Sequence, residues 1–391
     1  MKRIVWIIVC CFITQWASAQ TPKWAEKAKK AVFSVVTYDK ENKIKGTGNG
    51  FYIDGQGTAL SDYTLFENAE RAVIINTDGK QQIVNRILGA NSMYDIVKFN
   101  TPIDKKQMTL TIAAQPAKVG ETVYLLPYST QKATALQTGK VTSVDSIGNH
   151  SFYYTLEMKT GEKTVSCPIM NANGEVLGLI QKNASDDSME SYAIGASYGN
   201  ALAISALSMN DPALSSIGIK KALPDTEEQA LVFLYMSSEQ QDRDKYFVLL
   251  NDFLSQYPNS MEGYIRRANY YMHGDNAEQY PLAEEDLKKA IEVATNKEDA
   301  QYQVAKAIYS YLIALDGKEA YGEWSFDKAL EVIQGAIQAN EQPIYVQLEG
   351  DILFAQGKYA DAFTRYEKVN QSSLASAATF YSAAKAKQLT E

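Results

Sequence analysis

The sequence predicts a multidomain chain, with an all-β barrel or sandwich first and an all-α helical repeat after it. Three observations carry this. From Val32 to about Leu207, short runs rich in β-branched and aromatic residues alternate with Gly, Asn, Asp and Pro breaks, the spacing of a barrel or sandwich. From Thr226 to Glu391 the apolar residues recur with a period near 3.6, which is helical. Between them, Ser208 to Asp225 holds Asp211-Pro212, Ser215-Ser216 and Leu223-Pro224, the punctuation of a boundary.

The chain opens with Lys2 and Arg3, an apolar run from Ile4 to Ile13, and Ala17-Ser18-Ala19 before Gln20. A charged start, a short apolar stretch and a small-residue cleavage site predict a secretory signal peptide over 1–19, too short for a membrane span. Cys10 and Cys11 lie inside the apolar run rather than just after the cleavage site, which argues against lipidation. The mature chain then keeps one cysteine, Cys167, and no internal disulfide. Export without disulfides predicts a bacterial envelope protein, periplasmic or extracellular, stabilised by ordinary cores. The mature chain has no further stretch apolar enough to be a transmembrane segment. With 46 acidic against 38 basic residues the net charge is −8, and there is no Lys/Arg cluster, which argues against nucleic acid as a partner. No cofactor motif is present.

Within the β region, Trp24 to Lys30 reads as a short amphipathic helix with its charges outward, and Val32 to Tyr38 as a strand. The stretch Thr164 to Leu179 reads TVSCPIMNANGEVLGL. Asn171 to Gly174 is a tight turn, because Asn and Gly tolerate positive φ. Glu175 to Ile180 is a short strand, and Ser166 to Ile169 is small and apolar enough to pack inside.

This stretch resembles the nucleophile segment of trypsin-like serine proteases of the HtrA/Deg type, G-N-S-G-G-P-L-x-N-x-x-G-E-V-I-G-I, with Pro168, Asn171, Gly174, Glu175, Val176 and Gly178 in register. Other stretches resemble the same family in order. They are Gly46 to Gly55, Thr58 to Ala69, Asn91 to Val97, Val119 to Val123, Thr138 to Val141 and Tyr192 to Ile194. The resemblance implies a trypsin-like double β-barrel over 20–207. It places the histidine position on Thr64, the carboxylate on Asp95, the nucleophile on Val165 and the oxyanion-loop glycine on Lys163. Valine has no attacking hydroxyl and threonine is no base near neutral pH, whereas a triad needs nucleophile, base and orienting carboxylate together. The expectation is therefore an inactive protease domain, a pseudoenzyme, and a chain that is not an enzyme. Three rescues are weaker, because motif fragments without geometry carry little weight: a Ser166–Lys163 dyad, a Cys167–His150 pair, and a metal site on His150 or His273.

The helical region, 226–391, follows a linker expected over 208–225. Asp225 or Thr226 can cap its first helix. Its helices pair at a period near that of tetratricopeptide repeats. The last pair, Gly350 to Val369, resembles the repeat's G-x-x-x-x-x-x-G-x-Y-x-x-A-x-x-x-Y-x-x-A pattern, with Gly350 and Ala362 allowing close approach and Tyr359 and Tyr366 filling the interface. Looser copies hold Tyr264, Ala268 and Tyr271 with Ala283, Leu287 and Ala290, and Tyr302 and Tyr309 with Ala329, Ile333 and Ala336. Tyr246, Leu250 and Phe253 before Pro258 form a degenerate first copy, and Ser373 to Leu389 a closing helix. The resemblance implies a protein or peptide partner held on the first helix of each repeat, at Ile265, Asn269, His273, Gln303, Tyr311, Gln347 and Asp351. A solvated face explains the polar members of that set equally well. The function expected is a non-catalytic protease fold joined to a protein-interaction solenoid. The alternatives are an envelope endopeptidase with an off-motif nucleophile and a regulatory partner of a true protease.

Overall fold

The computed structural model describes residues 22–131, 136–148, 151–183, 188–240, 242–274, 276–315, 317 and 319–391. The expected signal peptide and His150 lie outside the described residues. The chain divides into two compact units, one of residues up to 204 with 210–222, the other of 205–209 with 223–391.

The first unit begins with α1 (Ala25–Ala28) and a single 3-10 turn, Lys29–Ala31, then β1 (Val32–Tyr38), the expected strand. Lys29 departs from the expected outward charge: it is 9 % exposed and bonded to Glu26 at 2.8 Å. There follow β2 (Ile44–Tyr52), β3 (Thr58–Ser61), α2 (Tyr63–Phe66), β4 (Arg71–Ile75), β5 (Gln81–Ile83), β6 (Arg86–Asn91) and β7 (Ile96–Asn100). These strands form one seven-stranded sheet in the order β5-β4-β1-β2-β3-β7-β6. The chain continues with β8 (Thr122–Leu125), β9 (Gln137–Ile147), β10 (Ser151–Glu157), β11 (Pro168–Met170), β12 (Val176–Ile180), β13 (Glu190–Gly195) and α3 (Tyr198–Ala201). The second set closes into a barrel, β10-β13-β12-β11-β8-β9.

The fold class is the one expected, two barrel-like sheets followed by a helical unit. The first sheet, however, stays open at β5 and β6. Strand edges need cover, and the span expected as a linker provides it. Its α4 (Pro212–Ser216) is capped by Asp211, whose side chain accepts from the Ala213 amide. Beyond α4 the chain runs beside β6, with the Ile87 amide donating to Lys220 O and the Ala222 amide to Ile87 O, both at 2.8 Å. Ala213, Leu214, Ile217 and Ile219 are buried. The expected linker over 208–225 is thus largely part of the β unit. Its Pro and Ser content looked like a loop, while its apolar residues fill the core.

One shared core joins the two sheets: Val32, Phe51, Leu60 and Ile96 meet Leu126, Met170, Leu179 and Ile194. Each such side chain contributes about 1.5–3 kcal/mol when fully buried. Strand β11 pairs with β12 through the Asn171–Gly174 turn. Asn171 Oδ1 accepts from the amides of Asn173 and Glu175. Gly174 has φ +81°, and a Cβ there would lie 2.6 Å from Trp24 Cγ.

The second unit consists of α5 (Glu227–Gln240), α6 (Arg243–Gln256), α7 (Met261–Met272), α8 (Tyr280–Val293), α9 (Lys297–Ala314), α10 (Phe326–Ala339), α11 (Pro343–Ala355), α12 (Tyr359–Asn370) and α13 (Ala377–Gln388). Thr226 Oγ1 accepts from the Gln229 amide at the start of α5. Asp242, Ser260, Asn296, Ser325 and Ser376 cap α6, α7, α9, α10 and α13. Consecutive helices pack as pairs, α7 on α8, α9 on α10 and α11 on α12. The expected small residues, Ala268, Ala283, Ala290, Ala329, Ala336 and Ala362, are all fully buried between them. No described helix is long and apolar enough to cross a membrane.

Gly174→Ala combines the left-handed backbone, which costs a residue with a Cβ roughly 1–2 kcal/mol, with a clash against Trp24. The expected outcome is a loss of about 2 kcal/mol in the β unit, read as a lower urea midpoint by near-ultraviolet circular dichroism. An unchanged midpoint would show that the turn and Trp24 rearrange freely.

Candidate functional site

In the β unit a hydrogen bond joins two of the three expected triad positions, Thr64 and Asp95, and another ties the third, Val165, to β2. Asp62 follows β3 and caps α2, its Oδ2 accepting from the Leu65 amide at 3.2 Å. The cap presents Thr64 on the exposed side of α2. The Thr64 amide donates to Asp95 Oδ1 at 2.7 Å, so the acid at the orienting position holds a helix amide. Val165 and Lys163 are tied to β2, where Asn49 Nδ2 donates to Val165 O at 2.8 Å and Lys163 O at 3.0 Å.

Sequence reasoning missed the buried polar set beneath these positions. Ser166 Oγ donates to Asp62 Oδ1 at 2.6 Å. Ser61 Oγ donates to Asn49 O at 2.6 Å and lies 3.3 Å from Asp62 Oδ1. Ser61 and Ser166 are fully buried, and Asn49 and Asp62 nearly so. Burial raises the Asp62 carboxyl above its ordinary value, the Ser166 hydroxyl opposes that, and Asp95 adds to it. The signal for this set was a polar residue inside a Gly-rich strand, Asn49, and the Ser61-Asp62 pair entering a helix.

The turn itself uses up its own amides. Val165 N donates to Glu162 O at 3.4 Å, Ser166 N to Ile180 O at 2.8 Å and Cys167 N to Thr164 O at 3.0 Å. Ser166 has φ +63°, the left-handed conformation glycine favours. Its hydroxyl points at Asp62, away from a Ser–Lys pairing with Lys163. Cys167 is fully buried, and burial pushes its thiol up to about 12, which suits a structural cysteine rather than a nucleophile. Among the described residues no group of three or more His, Cys, Asp or Glu could hold a metal ion.

In the helical unit, a cavity of about 560 Å³ opens between α5, α6, α7 and α9. It gathers three of the expected partner residues, Ile265 and Asn269 from α7 and Gln303 from α9. The other four lie elsewhere. His273 is exposed at the C-cap of α7. Tyr311 is 3 % exposed and packs against Trp324 at 5.0 Å; it belongs to the core, because α9 turns that face onto α10 and the loop before it. Asp351 accepts from Tyr366 Oη at 2.8 Å and ties α11 to α12, its carboxyl raised by burial. Gln347 is half-buried on α11. The cavity's cations, Arg243, Arg266 and Lys306, were not singled out by spacing, since charges on helix faces are ordinary.

No family model matches the sequence, and no curated protein matches it. Solved structures do. The serine endoprotease from Yersinia pestis matches at 15 % identity with TM-score 0.39, over 45 % of this chain and 62 % of that one. The Rv3671c protease from M. tuberculosis matches in its active form at 17 % identity and TM-score 0.39, over 50 % of this chain and 84 % of that one. Its inactive form matches at 16 % identity and TM-score 0.36, over 45 % and 88 %. This chain thus spans less than two thirds of the Yersinia protein. The expectation that the chain is not an enzyme is corrected here. The solved proteins similar to it are serine proteases, one in an active form, and substitutions at Thr64 and Val165 do not establish an inactive protein.

Asp62 makes stability depend on pH with a defined sign. Its folded carboxyl binds protons more tightly than the unfolded one, whose value is near 3.8. Over the window from that value upward the folded state holds more protons, so this group's contribution falls as pH rises. Asp62→Asn removes the titration. The wild type is expected to lose thermal stability relative to this variant as pH rises from 4 toward neutrality. A gap independent of pH across that range would refute the assignment.

Proposed function

We propose that the chain is an exported protein whose helical unit holds a peptide or protein partner, joined to a β unit of serine-protease-like fold. The reading takes 1–19 as a removed signal peptide, 20–204 together with 210–222 as the β domain, and 226–391 as a repeat domain of tetratricopeptide type. Its place of action is the bacterial envelope, and regulation of a true protease is one role such a partner-binding chain can serve.

The observation that carries the reading is the cavity of about 560 Å³ between α5, α6, α7 and α9. That volume lies within the range of about 300–1,000 Å³ common for ligand sites. Ile265, Asn269 and Gln303 reach it from two different helices. Stacked helical repeats use extended surfaces of this kind for binding. Asn269 Nδ2 donates to its own helix at Ile265 O, 2.9 Å away, which leaves its carbonyl oxygen for a ligand.

The test is a peptide array probed with the full chain and with the double variant Asn269→Glu, Gln303→Glu. Both side chains are half-buried on helix faces, so the thermal midpoint is expected to stay within a few degrees. Binding to the peptides captured by the wild type is expected to weaken about tenfold or more. Equal capture by the double variant would sink the proposal.

A further inference from the structure

We infer that the helical cavity selects an acidic peptide segment, one carrying several carboxylates in succession. The inference deepens the partner-binding reading and depends on it. The cavity's charged lining is Arg243, Arg266 and Lys306 against Glu262 alone. This excess of positive charge occurs in a chain of net charge −8, so it is local and runs against the composition.

Each cation is held for a different reason. Arg243 lies over the Tyr270 ring, its guanidinium carbon 4.2 Å from the centroid, and donates through Nη2 to Tyr270 O. Its charge is fixed in place by the ring and the carbonyl, with no carboxylate partner among the described residues. Arg266 bonds Glu262 through Nη2 at 2.9 Å, while its buried Nε meets no acceptor. A guanidinium carries five N–H donors in a planar fork, so Arg266 keeps donor capacity for an incoming carboxylate. Lys306 is exposed on α9, its ammonium 5.9 Å from the Tyr302 ring centroid, and forms no ion pair among the described residues.

Two buried carboxylates elsewhere in the unit, Asp286 and Glu349, are engaged by arginines. Asp286 takes a two-pronged bond from Arg267, Nε to Oδ2 and Nη2 to Oδ1, both at 2.8 Å. Glu349 takes Arg365 Nε at 2.9 Å. In the cavity the pairing is incomplete, and the unmatched sign is positive. Its walls are mainly polar, with Ser238, Asn269, Gln303 and Ser310 beside the cations, whereas sites for small molecules are predominantly apolar. A chain of main-chain amides and carboxylates matches such walls, with the amides of Asn269 and Gln303 facing backbone groups and the cations facing side chains.

The experiment measures fluorescence anisotropy of a labelled decapeptide of alternating glutamate and alanine with the full chain, beside the same peptide with glutamine for glutamate. The glutamate peptide is expected to bind at least about tenfold tighter in low salt and to weaken as salt rises. Lys306→Glu, which inverts an exposed charge and leaves two cations against two acids in the lining, is expected to abolish that preference with the thermal midpoint unchanged. Arg243→Gln provides a second variant with the same expected direction. Equal binding of the two peptides, or unaltered preference in Lys306→Glu, overturns the inference. If both peptides bind equally and the double variant at Asn269 and Gln303 abolishes both, the charge inference fails while the peptide groove stands. If neither peptide binds, the groove reading fails with it. Binding of inorganic polyphosphate as tight as that of the glutamate peptide, lost in Lys306→Glu, marks a general polyanion site and also overturns the peptide assignment.

Discussion

The β unit depends on the partnering of one buried carboxylate. Asp62 is 8 % exposed, and a charge taken out of water there costs several kcal/mol unless hydrogen bonds replace the water. Leu65 N and Ser166 Oγ supply them, from α2 and from the turn before β11. Those donors belong to the two different sheets' connections, so satisfying Asp62 fixes one against the other. Asn49 adds a second tie in the same direction, from β2 to Val165 O and Lys163 O. Hydrophobic burial drives the sheets together without choosing a register. These directional bonds choose it, and with it the positions of Thr64, Asp95 and Val165.

The helical unit meets the same problem with ion pairs. Asp286 and Glu349 are nearly fully buried, and each answers an arginine from a neighbouring helix, Arg267 and Arg365. Arg267 also donates to Asn251 Oδ1 at 2.9 Å, so one side chain joins α6, α7 and α8. Gln334 Nε2 reaches Glu349 at 3.0 Å and joins α10 to α11 and α12. Such pairs contribute little net stability, since desolvation offsets attraction. Breaking one leaves an uncompensated charge, so they penalise misaligned stacking. The small alanines then set how closely the helices approach.

Legibility followed how local each determinant was. The hairpin of β11 and β12 was readable because Asn171 and Gly174 encode the turn within four residues, and β1 because β-branched and aromatic residues fill all but one of its positions. Helix starts were readable where Thr226 accepts from an amide three residues on. The segment 208–225 misled because proline and serine signal loops locally, while its burial is decided by β6, more than a hundred residues away. Tyr311 misled for a related reason: spacing along α9 identifies a face, and only the Trp324 ring shows that the face is covered. Lys29 had the same fault, an outward charge by periodicity that sits under other chain. The Asp62 set left only a faint signal, Asn49 in its strand and the Ser61-Asp62 pair, because Asn49 and Ser166 lie far from that pair in sequence and each residue is ordinary alone.

Ser166 fixes the turn before β11 through both its hydroxyl and its amide. Its backbone takes the left-handed conformation that glycine favours, φ +63°. A serine in that region costs roughly 1–2 kcal/mol relative to glycine. Its hydroxyl bond to a buried carboxylate contributes on the order of 1.5–3 kcal/mol, enough to offset the strain. A glycine turn is permissive, because its conformation is one of several open to it. A serine turn bonded to Asp62, with its own amide on Ile180 O, has its alternatives removed. The amides of Val165 and Cys167 are held by the same closure, on Glu162 O and Thr164 O. The turn's amides and the Ser166 hydroxyl are therefore all engaged within the β unit, on Glu162 O, Ile180 O, Thr164 O and Asp62 Oδ1.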